Sequence, residues 1–214
     1  MKSLFDYILL HHAQHICFIS TTSVFGALEG RISNDSVLTP NTPSGNAHVE
    51  LEFHLKDLAI ASVIKPQGDA IGFSCSALRL AGLVGKDRHP ITTLSQKSNI
   101  ALGKNPVNLV HQQDVIQVIC AILQDAERRK HDSDSFEMTN SLLDRNFYAA
   151  NLCSLEHPTR EEYYTWCAQQ KGIRNPKFTP DTREFASGKW IDSEQTISQL
   201  QVKLHYPSPY NMLE

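Results

Sequence analysis

Apolar and polar positions fall into blocks along the chain, and each block predicts an element. Ile16, Cys17, Phe18 and Ile19 form an unbroken apolar run that stops at four hydroxylated residues, Ser20 to Ser23. A run of this kind, closed by small polar residues, predicts a parallel strand buried on both faces. Ahead of it, Leu4, Phe5, Ile8 and Leu9 recur on one face and predict a helix over 2–12. Between His48 and Leu58 two periods compete. Val49, Leu51, Phe53 and Leu55 alternate as in a strand, while Ala47, Leu51, Leu55, Leu58 and Ala61 make a helical stripe. Gly72–Leu80, Val107–Val110 and Phe147–Cys153 read as further strands, and Gly82 and Gly85 close the first of these. Val115, Ile116, Val118, Ile119, Ile122 and Leu123 predict an amphipathic helix. Asp114 in its first turn and Arg128, Arg129 and Lys130 near its end both suit the helix dipole.

Turn chemistry supplies the remaining boundaries. Asn34–Gly45, Lys65–Asp69 and Lys86–Pro90 are rich in loop formers, and a short helix to about Ser95 follows the last of them. His131–Arg145 is polar and without period, and reads as a flexible insertion. Thr159-Arg160-Glu161-Glu162 is a capping box that opens a helix, and Gly172 stops it. A helix near Ser193–Leu200 and a strand at Val202–His205 complete the chain.

Composition narrows the function classes. The 214 residues fit one domain with at most a small subdomain, and the 41% apolar and 20% charged fractions are ordinary for a globular protein. A net charge of −3 speaks against a nucleic-acid-binding or polybasic membrane surface. No run approaches the length of a spanning helix, and the N-terminal segment has an Asp in its apolar stretch and no cleavage site, unlike a signal peptide. Five cysteines at 17, 75, 120, 153 and 167, with no CxxC pair, read as reduced thiols in a cytoplasmic protein. His11 and His15 have the i, i+4 spacing of a metal pair, but the strand must begin near His15, so a polar helix end is the preferred explanation and no metal site is expected.

The candidate chemistry begins at Ser20–Ser23. Open parallel α/β sheets bind ligands outside the carboxyl ends of their strands, where these hydroxyls would lie. The competing explanation is a buried strand leaving through a Ser/Thr-rich turn. The whole stretch Ile16–Gly26, ICFISTTSVFG, resembles the fourth-strand segment of the extended short-chain dehydrogenase/reductases, the NAD-dependent epimerase/dehydratase family. The resemblance continues in family order through Thr39-Pro40-Asn41-Thr42-Pro43-Ser44-Gly45, ALRLAGLVG from Ala77, NLVHQQD from Asn108, GKWID from Gly188, and Tyr206-Pro207-Ser208. It is nearest to an atypical bacterial subgroup without the usual catalytic tyrosine and lysine.

The resemblance implies an α/β fold: an incomplete Rossmann-type parallel sheet with its N-terminal βαβ units missing, and a small C-terminal substrate-side lobe. It makes 48–58 a helix. Residues 1–126 become the C-terminal part of the NAD(P)-binding domain, 127–146 a flexible insertion, and 147–214 the substrate-side segment. Residues 82–106 and 150–190 would form the lobe. None of the 10 glycines falls in a GxGxxG or GxxGxxG turn, so the pyrophosphate-binding motif is not in this chain. Relative to the family layout roughly 70–90 residues are absent, two or three βα units, which implies a fragment or a lost cofactor half.

Carried over position by position, the resemblance gives Thr21, Ser44 and His48 as the catalytic positions, with Ser44 and His48 standing where the family has tyrosine and lysine. A serine hydroxyl is a far weaker acid than a phenol, and an imidazole is not a fixed cation. A Ser44–His48 nucleophile–base dyad is the alternative, against Ser44 as helix cap and His48 on the helix surface. Ser20, Thr21, Leu80, Ala81 and Gly82 are the implied cofactor contacts, Gly82 letting backbone approach the ligand. Thr22, Arg88 and His111 are the implied substrate contacts, with a solvated loop as the other explanation of Arg88. Asp114 reads as a helix-start residue. The implied function is that of an NAD(P)-dependent epimerase/dehydratase-like protein acting on a nucleotide sugar, a similar polyol or another small molecule, catalytically impaired. The alternative is a non-catalytic nucleotide- or protein-binding relative. Loss of the first strands would leave Ile16–Ile19 as an unpaired edge open to self-association.

Overall fold

The computed structural model describes residues 13–64, 73–131, 146–183 and 187–213. The expected helix over 2–12, the turn at 65–69, His11 and most of the 131–145 stretch lie outside them. In chain order the elements are β1 (His15–Thr21), β2 (Gly30–Ile32), α1 (Pro43–Ile64), β3 (Ser74–Leu80), β4 (Gly82–Val84), α2 (Ile91–Leu94), β5 (Leu109–His111), α3 (Gln112–His131), β6 (Phe147–Leu152), α4 (Arg160–Gln170), β7 (Lys189–Ile191) and α5 (Glu194–Leu200).

Every strand pair is parallel. The central sheet has the order β1-β3-β6, and two-stranded pairs β4-β5 and β2-β7 extend the architecture. Parallel strands need crossovers, and α1 and α3 supply two of them. Ile16, Phe18 and Cys75 point to one face of the sheet, where Leu51, Leu55, Leu58 and Ala59 of α1 cover them. Cys17 and Leu78 point to the other, against Val118 and Ile122 of α3. The period of two along β1 and β3 therefore meets the helical stripe of α1, and the helical period at 48–58 wins. A second core joins Tyr163, Tyr164, Cys167 and Ala168 of α4 to Val84, Ile91, Val107, Leu109 and Met212, and forms the lobe.

Several expectations change. β1 is not buried on both faces: it is mostly half-exposed, Ile19 is 39% exposed, and β3 is its single neighbour among the described residues. Among the described residues, one row of its backbone groups is not paired by the sheet. Gly82 does not close a strand but opens β4. The stretch 202–205 is not a strand, because the Asp114 carboxylate takes the backbone N–H groups of His205 (2.7 Å) and Tyr206 (3.1 Å). α3 runs to His131, so the first residues of the 127–146 stretch are helical. Among the described residues no helix is long and apolar enough to cross a membrane.

Candidate functional site

The carboxyl end of β1 is built into a rigid corner. Thr21 is extended (φ −140°, ψ 148°), and its hydroxyl accepts the Ser23 N–H at 3.2 Å, capping a 3₁₀ turn over Thr22–Phe25. Val24 and Phe25 plug that turn into the core. Gly26 closes it with φ +50°, and a Cβ there would lie 1.9 Å from the Thr39 carbonyl oxygen, so no other residue fits. The Thr39 N–H donates to the Val24 carbonyl and its hydroxyl to the Phe25 carbonyl, both at 3.0 Å, which stitches the loop to the segment leading into α1.

The start of α1 then abuts the loop. A Cβ on Gly45 would lie 2.8 Å from the Ser23 carbonyl oxygen. Thr42, not Ser44, caps the helix: its Oγ1 accepts the Gly45 N–H at 3.1 Å. Ser44 is exposed, and His48 lies half-buried over the Phe18 ring at 5.8 Å. The His48 Nδ1–H donates to the Ser44 backbone carbonyl at 2.8 Å, and no bond joins the ring to the Ser44 hydroxyl. With a carbonyl as partner, Nδ1 must carry the proton.

Beneath this rim lies a buried polar network that was not apparent from the sequence. The Ser20 hydroxyl donates to Glu52 Oε1 at 2.5 Å. Arg79, directly opposite Ser20 in the β1–β3 register, donates Nη2 to Glu52 Oε2 at 2.7 Å, Nε to both carboxylate oxygens at 3.2 Å, and Nη1 to the Asn34 carbonyl at 2.9 Å. Glu52 and Arg79 are 2% and 4% exposed. The Asn34 side chain continues the network to the Asn151 N–H at 2.8 Å. Ser20, one of the implied cofactor contacts, is thereby turned into the protein. Glu52 lies one turn past His48 on the same helix face, which is the one sequence signal that could have pointed to it.

Leu80 is half-buried and Ala81 buried, and both lie at the carboxyl end of β3. Gly82 is small for a reason other than ligand approach: a Cβ would lie 2.9 Å from Leu109 Cδ2 and 3.1 Å from the Asn108 carbonyl oxygen, so β5 requires the glycine. Arg88 is exposed on the turn where its backbone pairs with Gly85, outside the hydroxyl corner. His111 is fully buried and stacks on Tyr206 at 3.7 Å, beneath the C-terminal segment rather than in an open cleft. His15 Nδ1 and Nε2 lie 2.8 and 3.0 Å from the Ser74 and Ser76 hydroxyls, and the described residues hold no cluster suited to a metal ion. Thr21, Thr22, Leu80, Ala81, Ser44 and His48 thus gather about the ends of β1 and β3, while Arg88 and His111 belong to the β4–β5 unit.

One further residue reaches this corner. Lys189 of β7 donates its Nζ to the Thr22 carbonyl at 3.2 Å and to the Gly26 carbonyl at 2.9 Å, and burial lowers its pKa. In the lobe, the Ile91 N–H donates to His89 Nδ1 at 3.2 Å, so Nε2–H faces the Tyr163 hydroxyl at 3.0 Å, which donates in turn to the Pro209 carbonyl. Burial, with Lys171 nearby, pushes the His89 pKa down to about 4.

No protein-family model matches the chain. It is 31% identical over 212 residues to protein YeeZ of Escherichia coli K12, covering 99% of this chain and 66% of that protein. The chain thus spans just under two thirds of the curated relative's length. Among solved structures it superposes on a UDP-glucose-4-epimerase from Stenotrophomonas maltophila with bound NAD and formylated UDP-arabinopyranose, with a TM-score of 0.70 at 16% identity over 99% of this chain and 64% of that one. It also superposes on MoeE5 in complex with UDP-glucuronic acid and NAD, with a TM-score of 0.67 at 18% identity over 98% of this chain and 65% of that one. A parallel sheet carrying a hydroxylated loop at the end of its edge strand, superposable over nearly all its length on such proteins, shows that the chain shares the α/β fold of these NAD-bound, UDP-sugar-bound proteins.

Proposed function

We propose that this chain forms the substrate side of an NAD(P)-dependent epimerase/dehydratase-like protein that binds a nucleotide sugar at the carboxyl ends of β1 and β3, with impaired proton-transfer chemistry. The carrying observation is the corner itself: the Thr21–Gly26 loop, the Leu80–Gly82 segment and the start of α1 converge there, and similarly folded proteins hold NAD and UDP-sugars. The described residues fit the nicotinamide and sugar end of such a cofactor complex. They do not fit its pyrophosphate, for which the chain carries no glycine-rich turn.

When bound, NAD(P) supplies hydride acceptance and donation. The residues of this chain orient and hold. Thr21 is fixed at the strand end with its hydroxyl oxygen already accepting from Ser23, which leaves its O–H to donate to a substrate oxygen. Ser44 and His48 occupy the positions of the base and its cationic partner, and neither reproduces them: the hydroxyl does not ionise near neutral pH, and His48 spends its Nδ1 proton on backbone.

A second reading, a nucleotide-binding relative without turnover, is favoured by those same two replacements. The native protein from its own source, assayed with reduced and oxidised cofactor over a panel of nucleotide sugars, separates the two. Turnover that Thr21→Val abolishes supports the enzyme. Binding of UDP-glucose without turnover supports the silent relative, and absence of both binding and turnover sinks both.

A further inference from the structure

We propose that Lys189 is the cation of this site, binding a phosphate oxygen of a nucleoside-diphosphate ligand beside the hydroxyl loop; the assignment rests on the nucleotide-sugar reading above. An ammonium has three N–H donors. Two of them go to the Thr22 and Gly26 carbonyls, the two ends of the 3₁₀ turn. Carbonyl oxygens satisfy protons but do not neutralise charge, and a half-buried cation without a counter-ion is held at a cost.

Several arginines, by contrast, have carboxylate partners. Arg79 pairs with Glu52, Arg31 with Asp192 and Glu194, and Arg183 with Asp181. Lys189 has no carboxylate within ion-pair distance among the described residues.

Its root is rigid. Asn108 grips β7 on both sides of it, donating Nδ2 to the Lys189 carbonyl at 2.8 Å and accepting the Ile191 N–H on Oδ1 at 3.0 Å. The carbonyl of Gly188, just before it, accepts the Gly30 N–H at 3.0 Å. A side chain anchored in this way and aimed at the loop is preorganised for one anion, since little freedom is left to lose on binding. The chemistry complements the replacement at His48: the positive charge comes from β7 rather than from α1.

The test uses the native protein and two probes, UDP-glucose and inorganic pyrophosphate. Calorimetry compares wild type, Lys189→Met and Lys189→Arg. The expected result is that Lys189→Met weakens UDP-glucose about tenfold or more while Lys189→Arg stays within about threefold. In parallel, ¹³C-methylation of wild-type lysines, with the Lys189 signal assigned by its loss in Lys189→Arg, reports on the site without a destabilised variant. That signal is expected to shift when pyrophosphate is added. If UDP-glucose binds wild type and Lys189→Met equally, the Lys189 assignment is overturned and the nucleotide-sugar reading stands. If UDP-glucose fails to bind wild type but pyrophosphate moves the Lys189 signal, the sugar reading falls and the anion site stands. No binding and no shift removes both.

Discussion

Ser44, His48 and Glu52 lie four residues apart along one face of α1, yet the two ends of that face are used in opposite ways. At the N-terminal end, Ser44 is exposed and His48 bonds only the backbone of its own helix. One turn further, Glu52 is buried and ties together Ser20 of β1, Arg79 of β3 and, through Arg79, the loop at Asn34. A polar group in the open can be exchanged at little cost, because water substitutes for whatever partner is lost. A buried carboxylate and guanidinium that satisfy each other are bound to their geometry, since loss of either leaves the other charged and dry. The frame under the site is therefore specified more tightly than the rim over it, and the positions that the resemblance gives as altered are at the rim.

The comparison is broken most severely at Glu52. Glu52→Leu leaves Arg79 buried without a counter-charge and is expected to cost about 3–5 kcal/mol, read as a fall in the urea midpoint. The double variant Glu52→Leu with Arg79→Met is expected to recover most of that loss, because it removes both charges. A double variant as unstable as the single one would show that the pair supplies net stability rather than mutual cancellation.

Much of the frame was nonetheless invisible along the chain, and the reason is distance. The strands at 16–19, 72–80 and 147–153 announce themselves through local apolar runs, and the helices around 115 and 160 through local periods. Glu52 and Arg79 are 27 positions apart on different elements, and Lys189 reaches Thr22 across 167. Val202 and Leu204 alternate with polar residues as a strand would, but the Asp114 carboxylate claims the backbone donors just after them. His111 ends β5, while the Tyr206 ring packed against it comes from the far end of the chain. The resemblance ties Gly82 to ligand approach, while in the structure the group packed against it is β5. Local pattern thus conveys which segments are strands and helices, and what each polar side chain faces is decided by packing.

A smaller effect sharpens the contrast through half-buried histidines of the lobe. Burial holds His89 and His157 neutral, each with a pKa pushed from 6.5 down to about 4. As pH falls from 6.5 towards 4 the unfolded chain takes up protons that the folded chain refuses, so stability declines across that window and levels off below it. Urea midpoints between pH 4 and 7.5 should therefore slope, and the slope should flatten in His89→Gln combined with His157→Gln. A double variant that retains the full slope would locate the titrating groups elsewhere.

The smallest change is expected where the family's chemistry would be largest. Ser44→Ala removes an exposed hydroxyl that does not cap its helix, since Thr42 does. His48→Ala removes one ring packed over Phe18 and one bond to the helix backbone. Each should move stability by about 0.5–1 kcal/mol or less. If the two residues acted as a nucleophile and its base, either substitution alone would abolish both turnover and labelling by a serine-reactive phosphonate, because paired groups lose function together. With the His48 Nδ1 proton spent on the Ser44 carbonyl and no ring contact to the Ser44 hydroxyl, the expected outcome is a protein inert to the phosphonate before and after mutation. Labelling that His48→Ala removes would overturn this, and would mean that the ring leaves its backbone partner when a ligand arrives.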